Sequence, residues 1–204
     1  MIAHNLGYPR IGNNRELKKA SEQYWAGTIT QQKLQDTAKA IRTNNWLTQK
    51  EAGLDLIPCN DFSFYDQVLD MSFMFGLIPD RFSPLLQKKD LTELDIYFAM
   101  ARGYQKDGYD ITAMEMTKWF DTNYHYIVPE FKKNQKFSAI SDKAVREYTE
   151  AKALLGKAAK PVLLGPVSYL LAGKEKESGF NRIELLDQLL PVYFELVKSL
   201  ESSG

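Results

Sequence analysis

The chain has 204 residues, a formal net charge of zero at pH 7, and 44% hydrophobic residues. This is enough apolar material for a sizeable buried core, and the length is that of an ordinary globular domain. The lack of a long Lys or Arg run argues against nucleic acid or an anionic membrane as the main partner. No long apolar span or leader pattern is present, and the single cysteine, Cys59, excludes an intrachain disulfide. We therefore predict a soluble protein of a reducing compartment, the cytoplasm.

The start of the chain combines a short apolar stretch, a glycine break and a helix predicted over residues 15–26. Asn13 or Asn14 is a suitable N-cap for that helix. The N-terminus of a helix carries unpaired N–H groups and a partial positive charge, and Arg15 and Lys18 extend from one face of its first turn. This pattern predicts a corner that binds an anionic ligand. The alternative is a capped surface helix with two solvated cations.

The rest of the chain alternates between strand and helix patterns. The predicted strands are the opening stretch and residues 54–58, 113–116 and 161–167. Further helices are predicted at 31–52, 63–75, 94–102, 142–155 and 182–200, several of them ended by glycine. Four strand–helix rounds imply parallel strands joined by right-handed crossovers. We therefore predict an α/β fold.

Polar side chains lie at or just past the carboxyl ends of these strands, namely Arg10, Asn60, Asp61 and Lys118. Enzymes of the (β/α)₈ TIM-barrel type place their chemistry at that end. Such a barrel needs eight strands and on the order of 250 residues, so four βα units would form half of one. An open half leaves strand edges and inner faces uncovered, and a second copy would cover them. We therefore expect a homo-oligomer if the chain is stable alone.

Five long and specific stretches are spread along the chain between residues 6 and 170. They are LGYPRIG with the following RELKKA, EAGLDLIPCNDFSFYDQVLD at 51–70, YFAMARG at 97–103, AMEMTKWFDTNYHYIVPEF at 113–131, and KPVLLGPVSYL at 160–170. In these stretches the chain resembles the N-terminal part of the cobalamin-independent methionine synthases. The resemblance implies two barrels, with residues 1–204 forming part of the first and the catalytic second barrel absent. It also implies methyl transfer from 5-methyltetrahydropteroyltri-L-glutamate to L-homocysteine, giving methionine without cobalamin.

The resemblance further implies that zinc activates the homocysteine thiol through Cys and His ligands on the second barrel. This chain offers only Cys59, His4 and His125, with no close pair at metal-ligand spacing. We therefore expect no catalytic or metal-binding residue here. By resemblance, the part played by this chain is to bind the polyglutamate tail of the folate, and the matching positions are Arg15, Glu16, Leu17, Lys18 and Lys118.

The three cations of this set suit a ligand with several carboxylates, because charge-assisted contacts favour a triglutamate over a monoglutamate. Glu16 and Leu17 are included by position in the resemblance alone. A carboxylate does not attract an anionic tail, so Glu16 is expected to act through its backbone or by orienting Lys18.

Two other functions remain open at this point. One is a self-associating half-barrel with a binding or structural role and no catalysis. The other is a metal-free enzyme built from Asp61, Glu115 and His125, which requires these three side chains to converge.

Overall fold

The computed structural model describes residues 1–204 as eight α-helices, six short β-strands and three 3₁₀ turns. The helices are α1 (Glu16–Trp25), α2 (Gln31–Glu51), α3 (Gln67–Met74), α4 (Ser83–Leu86), α5 (Glu93–Arg102), α6 (Lys143–Leu155), α7 (Pro166–Ala172) and α8 (Leu186–Ser202). The strands are β1 (Ile57–Cys59), β2 (Met116–Lys118), β3 (His125–Ile127), β4 (Glu130–Phe131), β5 (Ala159–Pro161) and β6 (Lys174–Glu175). None of the helices combines the length and apolar character that a membrane crossing requires.

The chain divides into two compact units. The first consists of Met1–Phe64, Lys143–Leu163 and Ser202–Gly204, and the second of Tyr65–Asp142 and Leu164–Glu201. The first unit holds α1, α2, α6, β1 and β5, and the second holds the remaining strands and α3, α4, α5, α7 and almost all of α8. Both units mix helices with short strands, which confirms the predicted α/β class.

A short parallel sheet forms the centre of the first unit. In β1 and β5, Ile57 pairs with Ala159 and Cys59 with Pro161. All three residues of β1 are buried, and α2 and α6 contact this strand while α1 packs on α2. The predicted opening strand contributes one parallel bridge, from His4 to Leu56. The apolar sequence of β1 thus fits a parallel strand covered by helices.

Glycines end the first two helices as the sequence predicts. Gly27 has a φ of +71°, its N–H donates to the Tyr24 carbonyl, and the N–H of Thr28 donates to the Gln23 carbonyl. This is a Schellman motif, which places glycine in the left-handed region and satisfies carbonyls that the helix leaves open. Thr30 then caps α2 by accepting the Lys33 N–H at 3.2 Å. The predicted end of α1 and the predicted start of α2 are both confirmed.

The third predicted strand is wrong in position and in pairing. The strand lies at Met116–Lys118 as β2, and it pairs antiparallel with β3, so that Met116 faces Ile127 and Lys118 faces His125. Only six residues connect the two strands, and so short a connection joins antiparallel neighbours, whereas parallel neighbours need a long crossover. The chain therefore does not form four successive parallel strands.

The fourth predicted strand is correct only at its start. The strand β5 ends at Pro161, and the apolar residues that follow enter α7 at Pro166. Proline lacks an N–H and has a fixed φ, so it fits the first turn of a helix. The side chain of Tyr169 on α7 is fully buried and its hydroxyl donates to Ser72 Oγ at 3.0 Å.

Aromatic rings form the centre of the second unit. The Tyr169 ring lies 5.7 Å from Phe131 and 6.1 Å from Phe75 in edge-to-face geometry, and Phe75 lies 4.8 Å from Tyr193. Phe75, Phe131 and Tyr169 have no exposed surface. Such pairs add about 0.5–1.5 kcal/mol beyond the area they bury, so this cluster joins α3, β4, α7 and α8 into one core.

Gly173, at the end of α7, tests how tightly this core is packed. A Cβ atom there would overlap the Phe131 ring and lie 2.9 Å from the Pro129 carbonyl oxygen. We expect Gly173→Ala to destabilise the second unit by about 2 kcal/mol, the usual cost of overpacking. Gly165→Ala, at the other end of α7, is the matched control because a Cβ there meets nothing within 4 Å. Urea unfolding followed by circular dichroism measures both, and equal midpoints for the two variants would contradict the close contact.

Candidate anion-binding site

Arg15 is the N-cap residue of α1, and its side chain does not cap the helix. The predicted cap by Asn13 or Asn14 is therefore wrong. Arg15 has φ 60° and ψ 38°, in the left-handed region. In this conformation its N–H donates to the Gly12 carbonyl at 3.2 Å. A left-handed conformation at a residue with a side chain costs about 1 kcal/mol or more, and such residues are enriched at functional sites.

The Glu16 carboxylate folds back over the turn that precedes α1. Its Oε2 accepts the Asn14 N–H at 2.9 Å, and its Oε1 accepts from Asn14 Nδ2 at 3.3 Å. The backbone N–H of Glu16 itself, followed by that of Asn14, holds the pKa of this carboxyl below its ordinary value. Gly12 leaves the necessary space, since a Cβ at that position would overlap the carboxylate. The negative charge of Glu16 is thus directed to the N–H groups of its own turn.

Two cationic side chains and one backbone N–H at the start of α1 have no strong partner within the chain. Lys18 makes one long ion pair with Glu22, 3.8 Å away, and both side chains are about half exposed, at 54% and 55%. Exposed pairs of this kind contribute little to stability. Neither the Arg15 guanidinium nor the Lys18 N–H has an acceptor in the structure. Glu16 does not pair with Lys18, so the expectation that it orients Lys18 is not met.

Leu17 attaches the corner to the core of the first unit. Only 1% of its surface is exposed, and its N–H donates to the Ile11 carbonyl at 3.1 Å. The side chain therefore holds the first turn of α1 in place, and both its apolar surface and its donor are already engaged.

Lys118 belongs to the second unit. It is the last residue of β2, its side chain is exposed, and it faces His125 in the antiparallel register. The Nδ1 atom of His125 lies 3.0 Å from the Asn123 carbonyl oxygen. No acidic partner of Lys118 is recorded in the structure. Its ammonium group is therefore available to an anion.

The polar residues after β1 stabilise a loop. Asn60, at φ 58°, donates from Nδ2 to the Val162 carbonyl at 2.9 Å and accepts from Lys143 Nζ at 2.9 Å. Asp61 accepts the Tyr8 N–H at 2.8 Å, and burial raises the pKa of its carboxyl. Sequence analysis missed Lys143, whose position at the start of a helix distant in sequence gave no signal of this contact.

The geometry does not support an acid–base site made of Asp61, Glu115 and His125. Glu115 is exposed and pairs with Lys174 at 2.5 Å. Asp61 lies in the first unit and holds the backbone of Tyr8, while Glu115 and His125 lie in the second. Each group has its own local partner.

The residues of this chain also do not fit a zinc site. Cys59 is fully buried, and burial raises the pKa of its thiol to about 12, whereas a zinc ligand must be a thiolate. No group of three or more His, Cys, Asp or Glu side chains is arranged to hold a metal ion. No step that needs zinc is therefore assigned to this chain.

Comparison with known proteins identifies the family. Residues 2–204 match the family described as "Cobalamin-independent synthase, N-terminal domain". The chain belongs to this family. It is similar to proteins named 5-methyltetrahydropteroyltriglutamate–homocysteine methyltransferase, with 86% identity over 204 residues in Cytophaga hutchinsonii, 65% over 201 in Flavobacterium johnsoniae and 53% over 207 in Saccharomyces cerevisiae.

The matches cover almost all of this chain but only part of each relative. They span 100%, 98% and 98% of the chain and 26% of each of the three relatives. The chain thus spans about a quarter of the length of the curated relatives that it matches. Its family is therefore shown, whereas the activity of those longer proteins is a separate question for this chain.

The Glu16 turn gives a prediction that can be read by titration. Because the folded turn lowers the pKa of this carboxyl below 4.5, the ionised form stabilises the turn above that value, and this contribution is lost as the pH falls through the lowered pKa. Carbon-13 NMR of the unmodified chain should show Glu16 titrating below the ordinary value of 4.5. Gly12→Ala, which displaces the carboxylate, should return Glu16 to the ordinary range. Coincident titration of Glu16 in the unmodified chain and in Gly12→Ala would refute the back-folded carboxylate.

Proposed function

We propose that this chain is the N-terminal part of a methyltransferase that makes methionine, and that it binds the polyglutamate tail of 5-methyltetrahydropteroyltri-L-glutamate. The complete enzyme transfers the methyl group to L-homocysteine without cobalamin, in the cytoplasm, and zinc and the catalytic residues lie outside this chain. The names of the longer relatives support this assignment. The residues proposed to bind the tail are Arg15, Glu16, Leu17, Lys18 and Lys118.

The observation that carries the proposal is the set of open donors at the start of α1. The Arg15 guanidinium and the Lys18 N–H have no acceptor, and the Lys18 ammonium has only the weak Glu22 pair. A carboxylate at a helix N-terminus gains about 0.3–1 kcal/mol from the helix dipole. Charge-assisted hydrogen bonds to such a carboxylate contribute about 1.5–3 kcal/mol each before ordering costs. The corner thus offers several hydrogen-bond donors to the carboxylates of a ligand.

The residues of the corner have different roles in the proposed binding. The planar guanidinium of Arg15 matches a carboxylate with two parallel donors, and Lys18 supplies a point charge on a flexible stem. Leu17 fixes the turn by its burial, and Glu16 closes the turn through Asn14. The negative charge of Glu16 is directed to backbone N–H groups, which reduces its repulsion of an anionic tail.

The preference for a polyglutamate follows from the number of carboxylates. Each added glutamate brings another charge for Arg15 or Lys18, whereas a monoglutamate can satisfy fewer of these donors. The chain has no net charge, so this attraction is local and is screened by salt over about 10 Å. Tail binding is therefore expected to weaken with ionic strength.

We infer that residues 1–204 form part of an N-terminal (β/α)₈ barrel domain. The parallel pairing of β1 with β5 and the parallel bridge from His4 to Leu56 support a parallel barrel sheet. The antiparallel β2–β3 hairpin is additional to that pattern.

Single substitutions at the corner test the tail-binding role. We expect Arg15→Ala and Lys18→Ala each to weaken triglutamate binding by about tenfold, the loss of one charge-assisted contact, and to change monoglutamate binding much less. Calorimetric titration of the chain with both folates measures this difference. Lys19→Ala is the matched control, because Lys19 is an exposed cation on the same helix and is not among the proposed contacts. Equal losses for both ligands would remove the tail-binding assignment.

A second candidate function is self-association without catalysis, and α8 supplies the observation that favours it. Leu190, Phe194 and Val197 form a stripe along this helix with 43%, 66% and 53% of their surfaces exposed. Large apolar side chains at helical spacing are suited to an interface. A second copy of the chain would cover this stripe.

Sedimentation tests self-association directly. At micromolar concentration the chain should form a dimer or a larger assembly, and Phe194→Lys should shift it to the monomer by burying an unpaired charge. Lys198→Ala, an exposed change on the same helix, should leave the assembly intact. A compact monomer of the unmodified chain would eliminate this second function.

A further inference from the structure

One fully buried carboxylate joins a helix to a strand in the second unit. Asp66 is the N-cap of α3, and its Oδ1 accepts the Leu69 N–H at 2.9 Å. Its Oδ2 accepts the Ile127 N–H, from β3, also at 2.9 Å. Asp66 has no exposed surface. Its two oxygens therefore connect two segments that lie 61 residues apart in sequence.

Ile127, which donates to this carboxylate, lies in the same β2–β3 hairpin as Lys118. It pairs with Met116, and the same register places Lys118 opposite His125. The strand β2 is largely exposed, whereas Tyr126 and Ile127 of β3 are buried. The hairpin is therefore attached to the unit through β3, and the Asp66 bond fixes the position of that strand along its own axis.

We propose that Asp66 is a positioning residue for Lys118, and that it holds the β2–β3 hairpin in the register that presents this lysine to the folate tail. This inference rests on the tail-binding function proposed above. It adds a residue that does not contact the ligand and acts through the Ile127 N–H.

A carboxylate is needed here because two N–H groups face the same side chain. An asparagine would still cap α3 well, since its oxygen can accept the Leu69 N–H. Its NH₂ group would then face the Ile127 N–H, two donors with no acceptor between them. A protonated carboxyl has the same defect, because one of its oxygens becomes a donor.

Protonation of Asp66 falls within the range that a titration can reach. Burial raises the pKa of its carboxyl to about 7, against the effect of the two N–H donors, and the neighbouring charge of Asp70 adds to the rise. The titratable groups that face it are Asp70 on α3, Tyr97 on α5 and Tyr126 on β3. Burial also raises the pKa values of Tyr97 and Tyr126, so both stay neutral through this range.

As the pH falls through the Asp66 pKa, the fold gains stability, whereas the hairpin is held less firmly in position. Because the folded pKa is above the ordinary 3.8, protonation of Asp66 favours folding, and this gain is lost as the pH rises through about 7. Protonation also removes the acceptor for Ile127 and so loosens the hairpin. A drop in tail affinity over a pH range where the fold gains stability therefore separates positioning from general destabilisation.

The first arm of the test is NMR of the amide groups in the 204-residue chain. In the unmodified chain the Ile127 and Lys118 amides should share one titration near the Asp66 pKa, and exchange of the Ile127 N–H should speed up below it. Asp66→Asn should abolish the shared titration and keep exchange fast at every pH. Asp70→Asn, which removes the neighbouring charge and keeps an oxygen for the Tyr97 hydroxyl, should retain the titration at a lower pH.

The second arm is calorimetry with the triglutamate and monoglutamate folates, with His125→Gln in every sample so that no imidazole lies opposite Lys118. Above the Asp66 pKa, Asp66→Asn should weaken triglutamate binding by about tenfold, as Lys118→Ala does, and the two losses should not add. The affinity of the unmodified carboxylate should fall on acidification, and that of Asp66→Asn should not.

The outcomes separate this inference from the tail-binding function. Ile127 and Lys118 amides that respond neither to pH nor to Asp66→Asn would overturn the positioning role, whatever the binding data show. A chain that binds both folates equally would overturn the tail-binding function and with it the role of Asp66 in binding. If Asp66→Asn does not fold, the titration of the unmodified chain decides, because it requires no substitution.

Discussion

The backbone groups that the short strands leave unpaired are the constraint on which this structure depends. The central parallel pairing of β1 with β5 is only three residues long, so the backbone around it must find other partners. Side chains supply them: the Trp46 indole N–H donates to the Pro58 carbonyl at 3.1 Å, and Asn60 bridges to Val162. Asp61 and Asp66 do the same for the N–H groups of Tyr8 and Ile127. Buried polar side chains thus extend the pairing where the sheets end.

At the proposed binding corner this compensation is incomplete. At the starts of α2, α3 and α5 a side chain accepts a first-turn N–H, from Thr30, Asp66 and Thr92 respectively. Arg15 has no acceptor to offer, so α1 begins with a donor that nothing in the chain satisfies. An N-cap that is a cation instead of an acceptor lowers the stability of the helix and at the same time raises its affinity for an external carboxylate. This is the physical basis of the proposed function.

Local sequence signals predicted the helices well and the strands poorly. The periodicity of apolar residues and the glycines at positions 27 and 53 placed the ends of α1 and α2, because helix formation and termination depend on neighbours within a few residues. Strand pairing depends on partners that lie far apart in sequence, so the pattern at 113–116 could not show that β2 would pair with β3. Pro166 at the start of α7 is a sequence signal for the beginning of a helix. The apolar run before it favoured the prediction of a strand instead.

The proposed site residues came from the resemblance, and two contacts that bear on them are visible only in three dimensions. Glu16 follows an arginine in the sequence and looks unsuited to an anionic ligand until its bonds to Asn14 are seen. Asp66 caps α3 through a local bond, but its second acceptor bond joins residues 61 positions apart, and no local pattern shows such a contact.

The two acidic residues near the corner differ in what an incoming carboxylate would cost. Glu22 is half exposed and 3.8 Å from Lys18, so a tail carboxylate can take its place and leave Glu22 solvated by water. Displacement of Glu16 would free the Asn14 N–H and reopen the turn that holds Arg15 in its left-handed conformation. A ligand therefore gains most by exchanging with Glu22 and leaving Glu16 in place. On this argument Lys18 is the residue of the proposed site that exchanges partners, and Arg15 is the residue whose backbone conformation the Glu16 turn maintains.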